Sequence, residues 1–88
     1  MHATPAQIEH MILDLLRQDH PELIKRADII RRVSDRLHQN GAWEPADDVP
    51  SQSPNGHSLG EARIDWRITR LKGRGDIDNP RWGWWRLP

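Results

Sequence analysis

Four arginines in the last third of the chain repeat at a spacing that places them along one side of a helix. Arg63, Arg67, Arg70 and Arg74 fall within an arc of roughly 60° at about 100° per residue. No acid on the same predicted helix stands three or four positions away, so neighbouring arginines repel by about 0.2–0.5 kcal/mol per pair. Guanidinium groups bind phosphate well. This arginine row therefore predicts contact with the DNA backbone.

The second predicted helix shows the ordinary arrangement of surface charges. There, Arg31 and Arg32 have Asp28 and Asp35 within three or four positions, as expected of a solvated face. The arginine row lacks such neighbours, which favours an external anion. The other interpretation is that acids from a preceding loop, such as Asp47 and Asp48, fold over the row.

The C-terminal tail carries a second group of candidate contacts. Strand alternation in Trp-Gly-Trp-Trp-Arg-Leu puts Trp85 and Leu87 on one side, packed on the core with Ile77. The other side carries Trp82, Trp84 and Arg86, with Arg81 beside them. Either the two tryptophans only cover the hairpin, or they contact the sugar, base edge or methyl groups of DNA. The residues singled out for DNA binding on the tail are Arg81, Trp82, Trp84 and Arg86.

The remaining candidates lie at the two ends of the third helix. His57 and Ser58 precede it and would enter a major groove first, although Ser58 is also the expected helix cap. Lys72 adds a phosphate contact near its end. The five histidines stand singly and there is no cysteine, so we expect no metal, no cofactor and no catalytic residues.

Capping signals and apolar spacing predict three helices. The first helix spans about 5–18, with Thr4 as its cap, Pro5 in its first turn and Gln7 completing a capping box. The second runs from about 26 to 39 and stops at Asn40-Gly41. The third opens at a Ser58–Glu61 capping box, buries a stripe of Ile64, Ile68 and Leu71, and ends at Gly73 and Gly75.

The segments between the helices predict a small sheet and a long loop. Residues 22–25 are extended enough for a minor strand, and 42–57 form a long loop that is either functional or disordered. The tail predicts a hairpin whose turn lies near Asn79, Pro80 and Arg81. On the third helix Trp66 lies nearly opposite the buried stripe. We expect the loop to cover it, with Trp43 as its cover, and presentation to a ligand is the alternative.

The element order predicts an α+β winged helix: three helices with a C-terminal two-stranded hairpin wing, as a single domain over 1–88. The 88 residues are 35% hydrophobic and 30% charged, with net charge zero. Residues 61–88 hold seven basic and four acidic residues (+3), leaving six and nine (−3) before them. The basic part is where a local DNA-contacting face is expected. No apolar run suits a membrane span, and a cytoplasmic location is expected.

From the third helix onward the chain resembles the N-terminal winged-helix domain of Mrr-type restriction endonucleases. The matching positions are Arg63, Trp66, Ile68, Leu71, Lys72, Gly75, Ile77, Pro80, Arg81, Gly83, Trp85, Arg86 and Leu87. The resemblance implies a DNA-recognition domain beside a separate nuclease domain, often in systems that attack methylated DNA. The chain departs from the family pattern at Arg70, Arg74, Trp82 and Trp84.

The sequence thus predicts a double-stranded DNA-binding module with no catalytic machinery of its own. Methylated DNA is a candidate target, because Trp82 and Trp84 could supply apolar surface for a methyl group. The rival hypothesis is a winged helix that docks another protein or dimerises through an aromatic patch.

Overall fold

The computed structural model describes residues 3–52, 54 and 56–88, which form an α+β fold. Three α-helices, α1 (Pro5–Asp19), α2 (Arg26–Gln39) and α3 (Leu59–Gly73), pack beside strands β1 (Ile24–Lys25), β2 (Asp78–Arg81) and β3 (Trp84–Arg86). The strands form one antiparallel sheet in the order β1-β3-β2. The three helices and the α+β class agree with the sequence. The sheet has three strands rather than two, because the short stretch before α2 pairs with β3.

The starts of α1 and α3 follow the capping signals. The Thr4 hydroxyl accepts a hydrogen bond from the Gln7 backbone N–H at 3.1 Å, and the Gln7 side chain accepts one from Thr4 N–H at 2.8 Å. Ser58 and Glu61 make the same reciprocal pair at the start of α3. Both predicted capping boxes are confirmed.

The start of α2 has no side-chain cap. The Arg26 backbone N–H donates instead to the carbonyl of Gly83 in the hairpin turn, at 3.0 Å. The turn therefore satisfies one of the open N–H groups of α2 and fixes the hairpin against that helix.

The core lies between the three helices and the inner face of the sheet. The helical stripes supply most of it, and the hairpin adds Ile77 and Trp85, each 3% exposed. Leu87 packs partly buried against the same cluster. The alternation that placed Trp85 and Leu87 on the core is thus confirmed. The buried apolar side chains of the helices are Ile8, Ile12, Leu15, Leu16, Ile29, Ile30, Val33, Leu37, Ile64, Ile68 and Leu71.

The hairpin turn lies later in the chain than the sequence suggested. Strand β2 continues through Arg81, and the chain reverses at Trp82 and Gly83, so the predicted turn near residues 79–81 is wrong. Gly83 has φ of 80°, a value that glycine adopts without strain in a tight turn. Asn79 bridges an irregular register, since its amide donates to the carbonyls of Arg81 and Trp84, each at 2.7 Å.

The long segment between α2 and α3 folds onto the start of α3. Its residues 53 and 55 lie outside the described part. A 3-10 helix spans Pro45–Asp48, and Trp43 stacks on His38 with ring centroids 4.5 Å apart. A Cβ on Gly60 would lie 2.5 Å from the Trp43 ring, so glycine is what lets this ring pack against α3.

No helix in the described part of the chain is both long and apolar enough to cross a membrane.

Candidate nucleic-acid interface

Three of the four arginines of the row bind acids brought to them by the fold. Arg63 lies 3.0 Å from the carboxylate of Asp47, in the 3-10 helix. Arg67 and Arg74 share Glu9 of α1, at 3.2 Å and 2.9 Å. The expectation that the row needs an external anion is therefore wrong for these three. The loop-acid alternative is correct for Arg63 alone, and nothing in the helix-local pattern pointed to Glu9.

These ion pairs hold elements together. Asp47 is 2% exposed, and besides Arg63 it accepts the backbone N–H of Glu44 at 2.9 Å, so it organises the 3-10 helix on α3. Glu9, with its side chain 13% exposed, clamps α1 to α3 through two guanidinium groups. Its hydrogen bond raises the pKa of Arg74 above the usual value. The pairs therefore have a structural role independent of any ligand.

Most basic side chains in the protein are neutralised in this way. Of the thirteen lysines and arginines, nine have a carboxylate oxygen of a described residue within 4.0 Å: Arg17, Arg26, Arg31, Arg32, Arg36, Arg63, Arg67, Arg74 and Arg86. Four have none among residues 3–52, 54 and 56–88. These four free cations are Lys25, Arg70, Lys72 and Arg81, and all four are exposed.

Two of the free cations border the outer face of α3. Arg70 and Lys72 are two positions apart, so they project about 160° from each other. Between them Trp66, Thr69 and Gly73 are exposed on the side opposite the buried stripe. Trp66 is 54% exposed, so its expected burial under the loop is wrong.

The other two free cations belong to a row across the outer face of the sheet. Lys25 and Arg81 are the register partners of Trp84 on either side of it. The Lys25 ammonium lies 5.2 Å from the Trp84 ring centroid and the Arg81 guanidinium carbon 5.8 Å. Such cation–π contacts keep both charges in place without neutralising them. Next to this row, at the turn, Trp82 is 93% exposed.

Asp65, the acid of α3 that lies beside Lys72 and Thr69 on the helix surface, is already neutralised. Asp65 binds Arg26, whose guanidinium also donates to the Asp65 carbonyl at 2.9 Å and to the Thr69 hydroxyl at 2.7 Å. Arg26 lies in turn over the Trp85 ring, at 5.3 Å. This network joins the start of α2, the middle of α3 and the sheet, and it leaves the neighbouring free cations uncancelled.

The other predicted DNA contacts, Arg86, Ser58 and His57, take part in contacts within the fold. Arg86 stands 3.9 Å from Asp78 on the adjacent strand. The Ser58 hydroxyl is occupied as the cap of α3. The carbonyl of His57 accepts hydrogen bonds from the backbone N–H and hydroxyl of Ser51, at 3.0 Å and 2.6 Å, so His57 belongs to the packed loop. Lys25 was missed, because no local pattern shows that β1 pairs with the hairpin.

Comparison with protein-family models, with curated proteins and with solved structures finds no match. Within the described residues, no three His, Asp or Glu side chains are grouped so as to hold a metal ion.

Proposed function

We propose that this domain is a winged-helix module that binds double-stranded DNA, with α3 in the major groove and the β2–β3 hairpin as the wing. One observation carries the proposal: the four cations that have no acid partner in the described structure all lie on α3 or on the outer face of the adjoining sheet. A protein surface that keeps uncompensated cations on one side suits a polyanion.

The dimensions of α3 support this mode of docking. A helix with its side chains is about 10–12 Å across, and the major groove is about 12 Å wide. Arg70 and Lys72, on opposite edges of the exposed face, would each meet one wall of phosphates. The small and apolar residues between them, Thr69, Gly73 and Trp66, would face the base edges.

The apolar centre of this face also bears on target choice. In the major groove the methyl group of thymine is the apolar feature, and a 5-methyl group on cytosine would occupy the equivalent place. Trp66 is better located for such a contact than Trp84, whose ring carries Lys25 and Arg81. Equal affinity for methylated and unmethylated duplexes of one sequence would contradict a methyl-reading role.

In this role the domain recognises DNA and performs no catalysis itself. By its resemblance to the N-terminal domain of Mrr-type endonucleases, the module would direct a nuclease domain of the same full-length protein to its target.

A direct titration tests DNA binding. Fluorescence anisotropy of a labelled mixed-sequence duplex at low salt should rise with added protein, and Lys72→Ala should weaken binding about fivefold at physiological salt by removing one phosphate contact. Arg31→Ala is the matched control, because this exposed arginine of α2 already pairs with Asp28. Absence of binding at low salt would refute the proposal.

A protein-docking function is the second candidate, and the exposure of Trp66 and Trp82 favours it. Self-association that is lost in Trp66→Ala, with no binding of duplex, would establish it instead.

A further inference from the structure

A cleft of about 660 Å³ separates α3 from the hairpin and lies beside the proposed groove-binding face. Thr69 and Lys72 form its α3 side, Trp82 and Trp84 its hairpin side, and Lys25 stands at its β1 edge. Its volume falls within the range of about 300–1,000 Å³ that small-molecule sites occupy. The cleft can therefore hold a group the size of one nucleotide.

The hairpin side of the cleft offers an indole that the fold leaves in solvent. Trp82 is 93% exposed and lies at the turn, where the backbone requirement is met by Gly83. An aromatic side chain that is exposed to this extent forgoes the burial that normally stabilises it. Its ring is free to stack on a planar partner.

The two lysines of the cleft make it attractive to an anion. Neither Lys25 nor Lys72 has a carboxylate within 4.0 Å among the described residues. The third basic residue in the lining, Arg26, is neutralised by Asp65. The cleft therefore carries two uncancelled positive charges next to an exposed aromatic ring.

We propose that this cleft binds one nucleotide of DNA whose base has left the helical stack, with the base on Trp82 and its phosphate between Lys25 and Lys72. This inference rests on the proposed DNA binding and adds a preference for duplexes that contain an unpaired base. A fully paired duplex would offer phosphates to the two lysines but no exposed base face for Trp82 to stack on. Base–aromatic stacking is what makes single-stranded sites bind bases of any sequence.

The test compares two duplexes of the same sequence, one fully paired and one with a single extra unpaired base. The wild-type protein should bind the second at least about fivefold more tightly, which is the lower end of what one base–aromatic stack contributes. Trp82→Ala should reduce that ratio to about one. Because Trp82 is exposed at the turn, this variant should fold. Arg31→Ala is the control and should keep the wild-type ratio.

A spectroscopic readout reports the stack itself. With 2-aminopurine as the unpaired base, its fluorescence should fall on binding to wild type and stay high with Trp82→Ala. Equal affinity for the two duplexes, or an unchanged preference in Trp82→Ala, would overturn the nucleotide site while leaving duplex binding standing. Failure to bind either duplex would overturn both.

Discussion

Arg67 and Arg70 stand three residues apart in the same row, yet the structure gives them opposite roles. Arg67 is 20% exposed and pairs with Glu9, whereas Arg70 is exposed and has no acid partner in the described structure. Replacing each by alanine therefore separates fold stability from ligand binding. Arg67→Ala should lower stability and leave DNA affinity near wild type. Arg70→Ala should leave stability near wild type and lower DNA affinity.

The size of the Arg67 effect follows from its surroundings. An exposed ion pair contributes about 0–1 kcal/mol, and orphaning a buried charge costs about 3–5 kcal/mol. Glu9 is largely buried but keeps Arg74 as a second partner, so Arg67→Ala should cost an intermediate amount, about 1–2 kcal/mol. In a domain of this size each kcal/mol lowers Tm by about 4–8 °C.

Arg70→Ala should change stability by less than about 0.5 kcal/mol, as is usual for an exposed residue without partners. It should weaken duplex binding about fivefold at physiological salt, since one phosphate contact is lost. Urea unfolding measures the first quantity and fluorescence anisotropy the second. If Arg67→Ala abolished DNA binding without loss of stability, the assignment of the row to structure would be refuted.

Three further predictions concern two packing sites and one ion pair. Gly60→Ala should destabilise the fold by about 1–3 kcal/mol by overpacking, because its Cβ would lie 2.5 Å from the Trp43 ring. Gly73→Ala is the control, because a Cβ there would meet nothing within 4 Å. Equal urea midpoints for the two variants would refute this packing. The Trp85 indole N–H is buried without a hydrogen-bond partner among the described residues, so its removal breaks no hydrogen bond there. Trp85→Phe should therefore cost clearly less than Trp85→Ala, which should cost about 3–5 kcal/mol. Similar costs for the two variants would count against this. A hydrogen bond from Arg32 lowers the pKa of Asp19. The two side chains are about one-third exposed, so this pair stabilises the fold by at most about 1 kcal/mol. The stabilisation is present above about pH 3.9 and is lost as the pH falls through the lowered pKa. Asp19→Asn should therefore be less stable than wild type near neutral pH and equal to it in strong acid, and a difference that persists at low pH would contradict the cause.

The local features of the fold could be predicted from the sequence. Capping boxes act over three residues and strand alternation over two, so Thr4, Ser58 and the buried Trp85 followed from neighbouring positions. The hairpin turn did not, because Pro80 is a common turn residue that here lies on an edge strand, where its missing N–H is tolerated.

The acids that bind the arginine row from other elements could not be predicted because they are distant in sequence. Asp47 is 16 residues from Arg63, and Glu9 is 58 residues from Arg67 and 65 from Arg74. A helix-local search for acids detects none of them. The candidate DNA contacts are consequently Arg70, Lys72 and the two cations of the sheet rather than the whole arginine row.

The salt dependence of duplex binding tests the central claim most directly, because its slope counts the phosphates that are contacted. The four free cations predict a slope of log K against log salt concentration of about −3.6, measured between about 50 and 200 mM. The seven basic residues of residues 61–88 would give about −6 if the row left its acids to bind DNA. A slope near −3.6 supports the account, and a slope near −6, or no binding at the lowest salt, contradicts it.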